Sequence, residues 1–523
     1  MMIDLHSCDS DVTIQCDVAI VGGGMAGLYL ASEMKLSQAS VVVLESGGVE
    51  FSEQSQALSS GTGRIVNPDG SSRRFDGYLH ESRERYFGGT GNVWGGKCAK
   101  LERHDFRQRP WVEHSGWPIG LDQLERYYDR ACYALNIPTT LGIASSSREL
   151  QDRPVLTRGA DGDNFTTALR CFSSLTGSAP GDAFAEFKRR VARQQNVSVY
   201  LNATVAEIQC SANLRSVARL HVNTHSGKQC TVEARWFVLA AGGLENPRLL
   251  LNSNKQQPNG LGNDRDVVGR YYSGHTVFKN VAGGGTAPCF AVMPGCGQPL
   301  ALYSDKDPKR LQGIFTLAAK AQWRERMMGF SVTLDRPEPD AADGRYPLFF
   351  MTEQVPHPQS RLTLTDDEDA LGLRRLHLEW RFDRKDIENL NRGARLFAGF
   401  LEHSKLGRLG DSDLHFDPAA SAEFSRHHIG ATRMHDEPTQ GVVDRNCKVH
   451  GIDNLYVCGT SVFPTAGLAN PTLTVMALAA RLGDLLKSKA LGLRSADSAT
   501  DNTRTAGMFA RAILREGCHD DGC

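Results

Sequence analysis

The sequence predicts an α/β fold of two domains, one on a Rossmann-like parallel sheet and one on an antiparallel sheet. Three observations predict it. A strand, a glycine turn, a helix and a second strand follow one another in "CDVAIVGGGMAGLYLASEMKLSQASVVVLESGG". A further buried-type strand, Phe237 to Ala241, runs into Gly242-Gly243 and a helix, as another central strand of the same sheet would. From roughly 275 to 420 the pattern changes to alternating segments such as "YPLFFMTEQV", "SRLTLT" and "RLHLEWRF", which suit antiparallel strands.

Taken in order, Asp17 to Val21 is a short buried strand and Gly22-Gly23-Gly24-Met25-Ala26-Gly27 fits G-x-G-x-x-G. In such a turn Gly22 permits the tight bend, Gly24 lets backbone approach a pyrophosphate, and Gly27 allows helix and strand to pack closely. The helix to about Met34 presents free N–H groups and a positive dipole end to phosphate. Ser40 to Leu44 is the second strand, and Glu45 ends it, placed to accept hydrogen bonds from an adenosine ribose. An acid there disfavours a 2′-phosphate, so FAD or NAD is expected rather than NADP. A site at the N-terminus of a long chain with a distant second half leans towards FAD.

Residues 50 to 80 are polar and turn-rich and read as loops or short strands. Helical spacing marks 121–135 and 184–195, and strands are expected in "VSVYLNATVAEIQC", "VARLHVNT" and "QCTVEARWFVLAAGG". One helix is expected at 385–403, then a returning strand in "NLYVCGTSVFP" and a helix over 472–487. The Ser, Thr, Ala and Asp-rich stretch 488–505 reads as a mobile tail. The resulting division is 1–274 with a loop at 86–98, then 275–420, a return over 421–487, and a tail 488–523.

A formal net charge of −1, from 59 basic and 60 acidic residues, argues against a nucleic-acid partner or a charged membrane surface. No apolar run reaches the roughly 18 residues of a membrane span. The opening "MMIDLHSCDSDVTIQCD" lacks the basic and apolar regions of an export signal, so a cytoplasmic location is expected. The thirteen cysteines are scattered without a C-x-x-C pair and read as free thiols. Cys518, His519 and Cys523 could chelate a metal, but a disordered chain end is the expected reading and no metal site is assigned.

Four segments, in order, resemble the glucose–methanol–choline (GMC) flavin oxidoreductases. They are the N-terminal unit, "YFGGTGNVWGGKC" at 86–98, "FVLAAGGLENPRLLL" at 237–251, and "HHIGATRMH…NLYVCGTSVFPTAGLANPTLTVMALAARLGDLL" at 427–486. The resemblance implies a two-domain fold like that of p-hydroxybenzoate hydroxylase. It also implies oxidation of a CH–OH group, with hydride passing to flavin N5 and a histidine base taking the hydroxyl proton. The family pattern H-x-x-G-[TA] falls on His427, three residues before Gly430, and its partner falls on Asn470 in "ANPTLT". The cofactor contacts it implies are Gly22, Gly24, Ala26, Gly27, Glu45, Gly88, Gly89, Asn92, Val93, Trp94, Val205, Ala241, Gly459, Asn470, Pro471 and Thr472.

The His/Asn pair looks like that of the sugar- and choline-oxidising branches, which implies a sugar, glycoside, cyclitol or polyol substrate. Where some relatives carry a histidine bonded to the flavin this chain has Val93, so non-covalent FAD is expected. Gly91 stands where Ser is usual, and Gly459 replaces a common acid, leaving its contact to backbone N–H. His428 and His450 read as packed or structural residues, and His275 as structural, though it could line the route between domains. A non-redox lyase of the same fold, or the flavin subunit of an electron-transfer complex, are the alternatives. The electron acceptor (O₂, a quinone or a protein), the alcohol and the oligomeric state are left open.

Overall fold

In a computed structural model the described residues are 1–7, 12–139, 164–175, 183–278, 281–282, 285–286, 290–292, 311–334, 345–409 and 422–513. The first sheet has eight strands. Met2–Asp4, Val197–Leu201, Val41–Leu44, Val12–Val21 and Gln229–Leu239 lie side by side in parallel. Val217–Asn223 and Thr204–Cys210 extend this array by antiparallel pairing, and Leu455–Val457 adds in parallel to Gln229–Leu239. Val18–Val21 and Val41–Leu44 are apolar throughout because both faces of the sheet are covered, and every one of these residues is buried. Helix Met25–Glu33 packs along the helix that starts at Thr472.

The second sheet is antiparallel and has nine strands. It runs through Arg345–Thr352, Phe330–Leu334 and Leu311–Leu317 to Phe165–Phe172 and Lys97–Cys98, so it takes two strands from the chain before residue 275. Helix Arg384–His403 closes one face, with Phe397 and Phe400 meeting the rings of Phe165 and Phe315 at centroid distances of 5.3–5.7 Å. That helix starts where the sequence reading put it because Asp383 caps the N–H of Lys385 and Asp386 reaches back to the Asp383 N–H. A third, four-stranded sheet joins Gly61–Val66 and Ser72–Arg74 to Arg361–Glu368 and Arg374–Arg381.

The C-terminal helix departs from expectation. It runs Thr472–Ile513, through the stretch read as a mobile tail. No proline interrupts this span and alanine, the best helix former, recurs along it. Cys518, His519 and Cys523 lie outside the described residues. Among the described residues, eight cysteines are free thiols and no helix is long and apolar enough to cross a membrane.

Candidate active site

The glycine turn is shaped by contact. Gly22 has φ +111°, and a Cβ there would sit 2.6 Å from the Ala240 carbonyl oxygen of the neighbouring strand. A Cβ on Gly27 would lie 2.0 Å from the Gly22 carbonyl oxygen, so helix and turn touch backbone to backbone. Gly24 has open space beside it and starts helix Met25–Glu33 without a side-chain cap, leaving first-turn N–H groups for a ligand. Glu45 is buried; Oε2 accepts from Gly23 N–H and Oε1 from Gly47 N–H, both at 2.9 Å. Burial pushes its carboxyl pKa up, and these N–H groups work against that shift.

The loop at 86–98 lies on this turn: the Gly88 N–H donates to the Gly23 carbonyl at 2.9 Å. Its shape is held from within. Asn92 Nδ2 donates to the carbonyls of Phe87 and Gly89, at 3.1 and 3.0 Å, while its Oδ1 accepts from Lys188 at 2.7 Å. Trp94 anchors the far side through Nε1–H to the Leu175 carbonyl at 2.7 Å.

Two histidines meet across the boundary between the first and second sheets. Ser273 and Ile429 exchange both backbone hydrogen bonds, at 2.9 and 3.0 Å, as an antiparallel pair. Two residues on from Ser273 and two back from Ile429, beyond that isolated bridge and before the register shifts to Thr276–Phe424, the rings of His275 and His427 meet. Their Nδ1 atoms are 2.8 Å apart, and His275 Nε2 lies 2.7 Å from the Gly467 carbonyl. His427 Nε2 lies 3.5 Å from Nδ2 of Asn470, whose buried Oδ1 has no partner among the described residues. His428 points to the opposite face, its Nε2 2.9 Å from Ser82 Oγ and its ring edge-on to Tyr78 at 5.7 Å. His450 contacts the His435 carbonyl at 2.8 Å, away from this pair.

Burial dominates the histidine titrations. It lowers the pKa of His275 to about 4 and that of His428 to about 3. Burial, together with His275, His428 and Arg170, takes His427 well below its ordinary value. All three are neutral imidazoles at pH 7. Sequence reasoning missed a second feature: Arg83, Arg85 and Arg248 converge on Glu245 at 2.8, 2.9 and 3.1 Å. Burial pushes Glu245 up, but the three guanidinium groups outweigh it and hold the carboxylate ionised. Two arginines flanking Glu84, just before the glycine loop, were the available signal.

A cavity of about 590 Å³ joins these parts. From Glu45 it passes Val205, Ala241, Gly22, Gly24, Ala26 and Gly459 to Gly89, Val93, Trp94, His427, Asn470, Pro471 and Thr472. Gly27, Gly88 and Asn92 are not among its lining residues: Gly27 packs behind the turn, Gly88 backs onto Gly23, and the Asn92 amide bonds the loop carbonyls and Lys188. Arg83, Arg85, Glu245 and His428 line it as well. An uncapped helix start, a buried acid at the end of the neighbouring strand and a buried amide oxygen with no partner among the described residues fit a bound dinucleotide.

The chain matches the FAD dependent oxidoreductase family over residues 17–293, more than half its length, and the fold is that of this class. It also matches GMC oxidoreductase over residues 356–479, and the chain belongs to the GMC oxidoreductases. It is therefore an FAD-dependent oxidoreductase acting on CH–OH donors. The 2-methyl-1,2-propanediol dehydrogenase of Mycolicibacterium austroafricanum is 24% identical over 455 residues, 77% of this chain and 80% of that one. The 6′′′-hydroxyparomomycin C oxidase of Streptomyces lividus is 24% identical over 537 residues, 92% and 93% of the two chains. Pyridoxine 4-oxidase from Mesorbium loti shares the fold, with TM-score 0.55 and 19% identity over 90% of this chain and 99% of that one.

Proposed function

We propose that this enzyme oxidises a CH–OH group of a sugar, glycoside, cyclitol or other polyol-type metabolite to a carbonyl, with His427 as general base. The observation that carries this reading is the convergence of His427 Nε2 and the Asn470 amide, 3.5 Å apart, at one end of the cavity. Bound FAD supplies the hydride acceptor. His427, neutral, accepts the hydroxyl proton at Nε2, which makes the remaining oxygen electron-rich and its C–H bond a better hydride donor. Asn470 Nδ2–H holds that oxygen without competing for its proton. The protein's first-turn N–H groups and Glu45 would hold the pyrophosphate and ribose of the cofactor.

The polyhydroxyl substrate class is supported by relatives whose names denote a diol dehydrogenase, a paromomycin-type oxidase and a C-glycoside 3-oxidase. FAD is held without a covalent bond: the 86–98 loop residues lining the cavity are Gly89, Thr90, Gly91, Val93, Trp94, Gly95 and Lys97, with no histidine, cysteine or tyrosine among them. The test is anaerobic mixing of the holoenzyme with a panel of sugars, glycosides and polyols. Bleaching of the flavin absorbance by one class supports the reading. Turnover with the flavin persistently oxidised would overturn it in favour of lyase chemistry.

A further inference from the structure

His275 entered the sequence reading as a structural residue, yet hydrogen-bond accounting at its two ring nitrogens fixes the chemistry of its neighbour. The Gly467 carbonyl can only accept, so His275 Nε2, 2.7 Å away, carries a proton and donates. A neutral imidazole then has a bare lone pair at Nδ1. Two lone pairs 2.8 Å apart would repel, so His427 Nδ1 carries a proton and donates to His275 Nδ1. One nitrogen of neutral His427 is left unprotonated, and it is Nε2, the one facing Asn470 and the cavity.

We infer that His275 is a positioning residue that holds His427 in the Nδ1–H tautomer, with the basic lone pair at Nε2 directed at the substrate hydroxyl. This rests on the reading of His427 as the base. Without such a partner a histidine side chain favours the Nε2–H tautomer, which would turn a donor towards the substrate. When the substrate O–H bond breaks and a new N–H bond forms at Nε2, the Nδ1 proton stays in place. The contact to His275 then becomes a charge-assisted hydrogen bond that stabilises the imidazolium.

The acceptor behind His275 is itself fixed. Gly467 has φ +59°, and a Cβ there would sit 2.4 Å from Leu101. Its N–H donates to Glu353 Oε1 at 3.1 Å. Glu353 is clamped by two hydrogen bonds of 2.7 Å from Arg109 and one of 3.1 Å from the Gly329 N–H, and both ion-pair side chains are no more than 1% exposed. The Ser425 hydroxyl holds the His275 backbone carbonyl at 2.6 Å. A buried ion pair, a glycine and two imidazoles form one unbroken line from the second sheet to the cavity.

The test reads the tautomer directly. Holoenzyme labelled with ¹⁵N-histidine is compared with its His427→Asn variant, which assigns the His427 resonances by their loss. Wild type is expected to show a protonated, pyrrole-type Nδ1 and an unprotonated, pyridine-type Nε2. His275→Gln retains an acceptor for His427 and a donor for Gly467, so it is expected to keep that pattern and to reduce flavin within about 10-fold of wild type. His275→Leu removes both, so the two resonances are expected to average or exchange character, and anaerobic flavin reduction to slow by roughly 10²-fold or more with FAD content unchanged. An Nε2–H tautomer in wild type, or unaltered His427 resonances in His275→Leu, overturns the assignment, the first without needing any His275 variant to fold. If His427→Asn still reduces flavin at the wild-type rate, the base itself is wrong. If that variant is inactive while His275→Leu keeps the wild-type tautomer, only the positioning role is lost.

Discussion

Asn470 and His427 face each other with the amide nitrogen 3.5 Å from the imidazole Nε2, and the buried amide oxygen beside them has no partner among the described residues. The pair offers one N–H donor and two acceptors to whatever enters, a match for a hydroxyl group carried on a polar molecule. On the proposed function, Asn470→Ala removes the donor to the substrate oxygen. It is expected to slow anaerobic flavin reduction by roughly 10²–10³-fold, the scale of losing one donor to a developing oxyanion, while FAD still copurifies. An equal loss of FAD content and rate would assign Asn470 to cofactor retention instead.

The doublet divides by face. His428→Gln keeps a hydrogen-bonding group near Ser82 and is expected to leave flavin reduction within about 10-fold of wild type, whereas His427→Ala should lose roughly 10²–10⁴-fold. Stopped-flow flavin bleaching of the two variants separates them, and equal damage would reverse the assignment.

Acid should destabilise the fold, and His428 gives part of the reason. Burial lowers its folded pKa to about 3, while in the unfolded chain a histidine titrates near 6.5. Below pH of about 6.5 the unfolded chain therefore binds more protons. The stability associated with neutral, buried His428 is complete above that pH and declines as pH falls towards the folded value. At pH 5 the linkage is worth about 2 kcal/mol for one such group. Thermal melts at pH 7 and pH 5 should show a smaller loss of Tm in His428→Gln than in wild type, and identical losses would count against this cause.

What the sequence made legible was local. The run from Asp17 to Glu45 carries strand, turn, helix and acid in contiguous order, so their joint geometry follows from spacing. His275 and His427 are 152 positions apart, and only the fold brings their rings together. Asn92 shows the same limit: its position in the glycine loop suggests a cofactor contact, but not that Lys188, from a distant helix, also binds its side-chain oxygen. Strand Phe165–Phe172 belongs to the antiparallel sheet through Leu311–Leu317, a pairing that no local pattern encodes.

Gly24 and Gly27 serve different ends and should fail differently. Gly24 has open protein space around its missing Cβ, so Gly24→Ala should fold with nearly unchanged Tm in the absence of cofactor. On the proposed placement of the cofactor its methyl would stand where backbone meets the pyrophosphate, so FAD affinity should fall at least 10-fold. Gly27→Ala would force a Cβ to within 2.0 Å of the Gly22 carbonyl oxygen, and should cost about 3 kcal/mol or more before any cofactor binds. Apoprotein melts together with FAD titration by fluorescence quenching distinguish them; the same loss of apoprotein stability in both would refute the division.

The Arg109–Glu353 pair is the farthest support of the site from the cavity, and its loss should be felt first in stability. Both side chains are buried, and Glu353 is held well below the ordinary carboxylate range by Arg109 against the upward push of burial. Arg109→Met would leave that carboxylate buried and unpaired, a cost of about 3–5 kcal/mol. Adding Glu353→Gln removes the stranded charge while keeping an acceptor for Gly467, so the double variant should be more stable than Arg109→Met alone. Denaturant unfolding of the two proteins measures the difference. A double variant less stable than the single would mean that the carboxylate contributes chiefly through its bonds to the Gly329 and Gly467 N–H groups rather than through the ion pair.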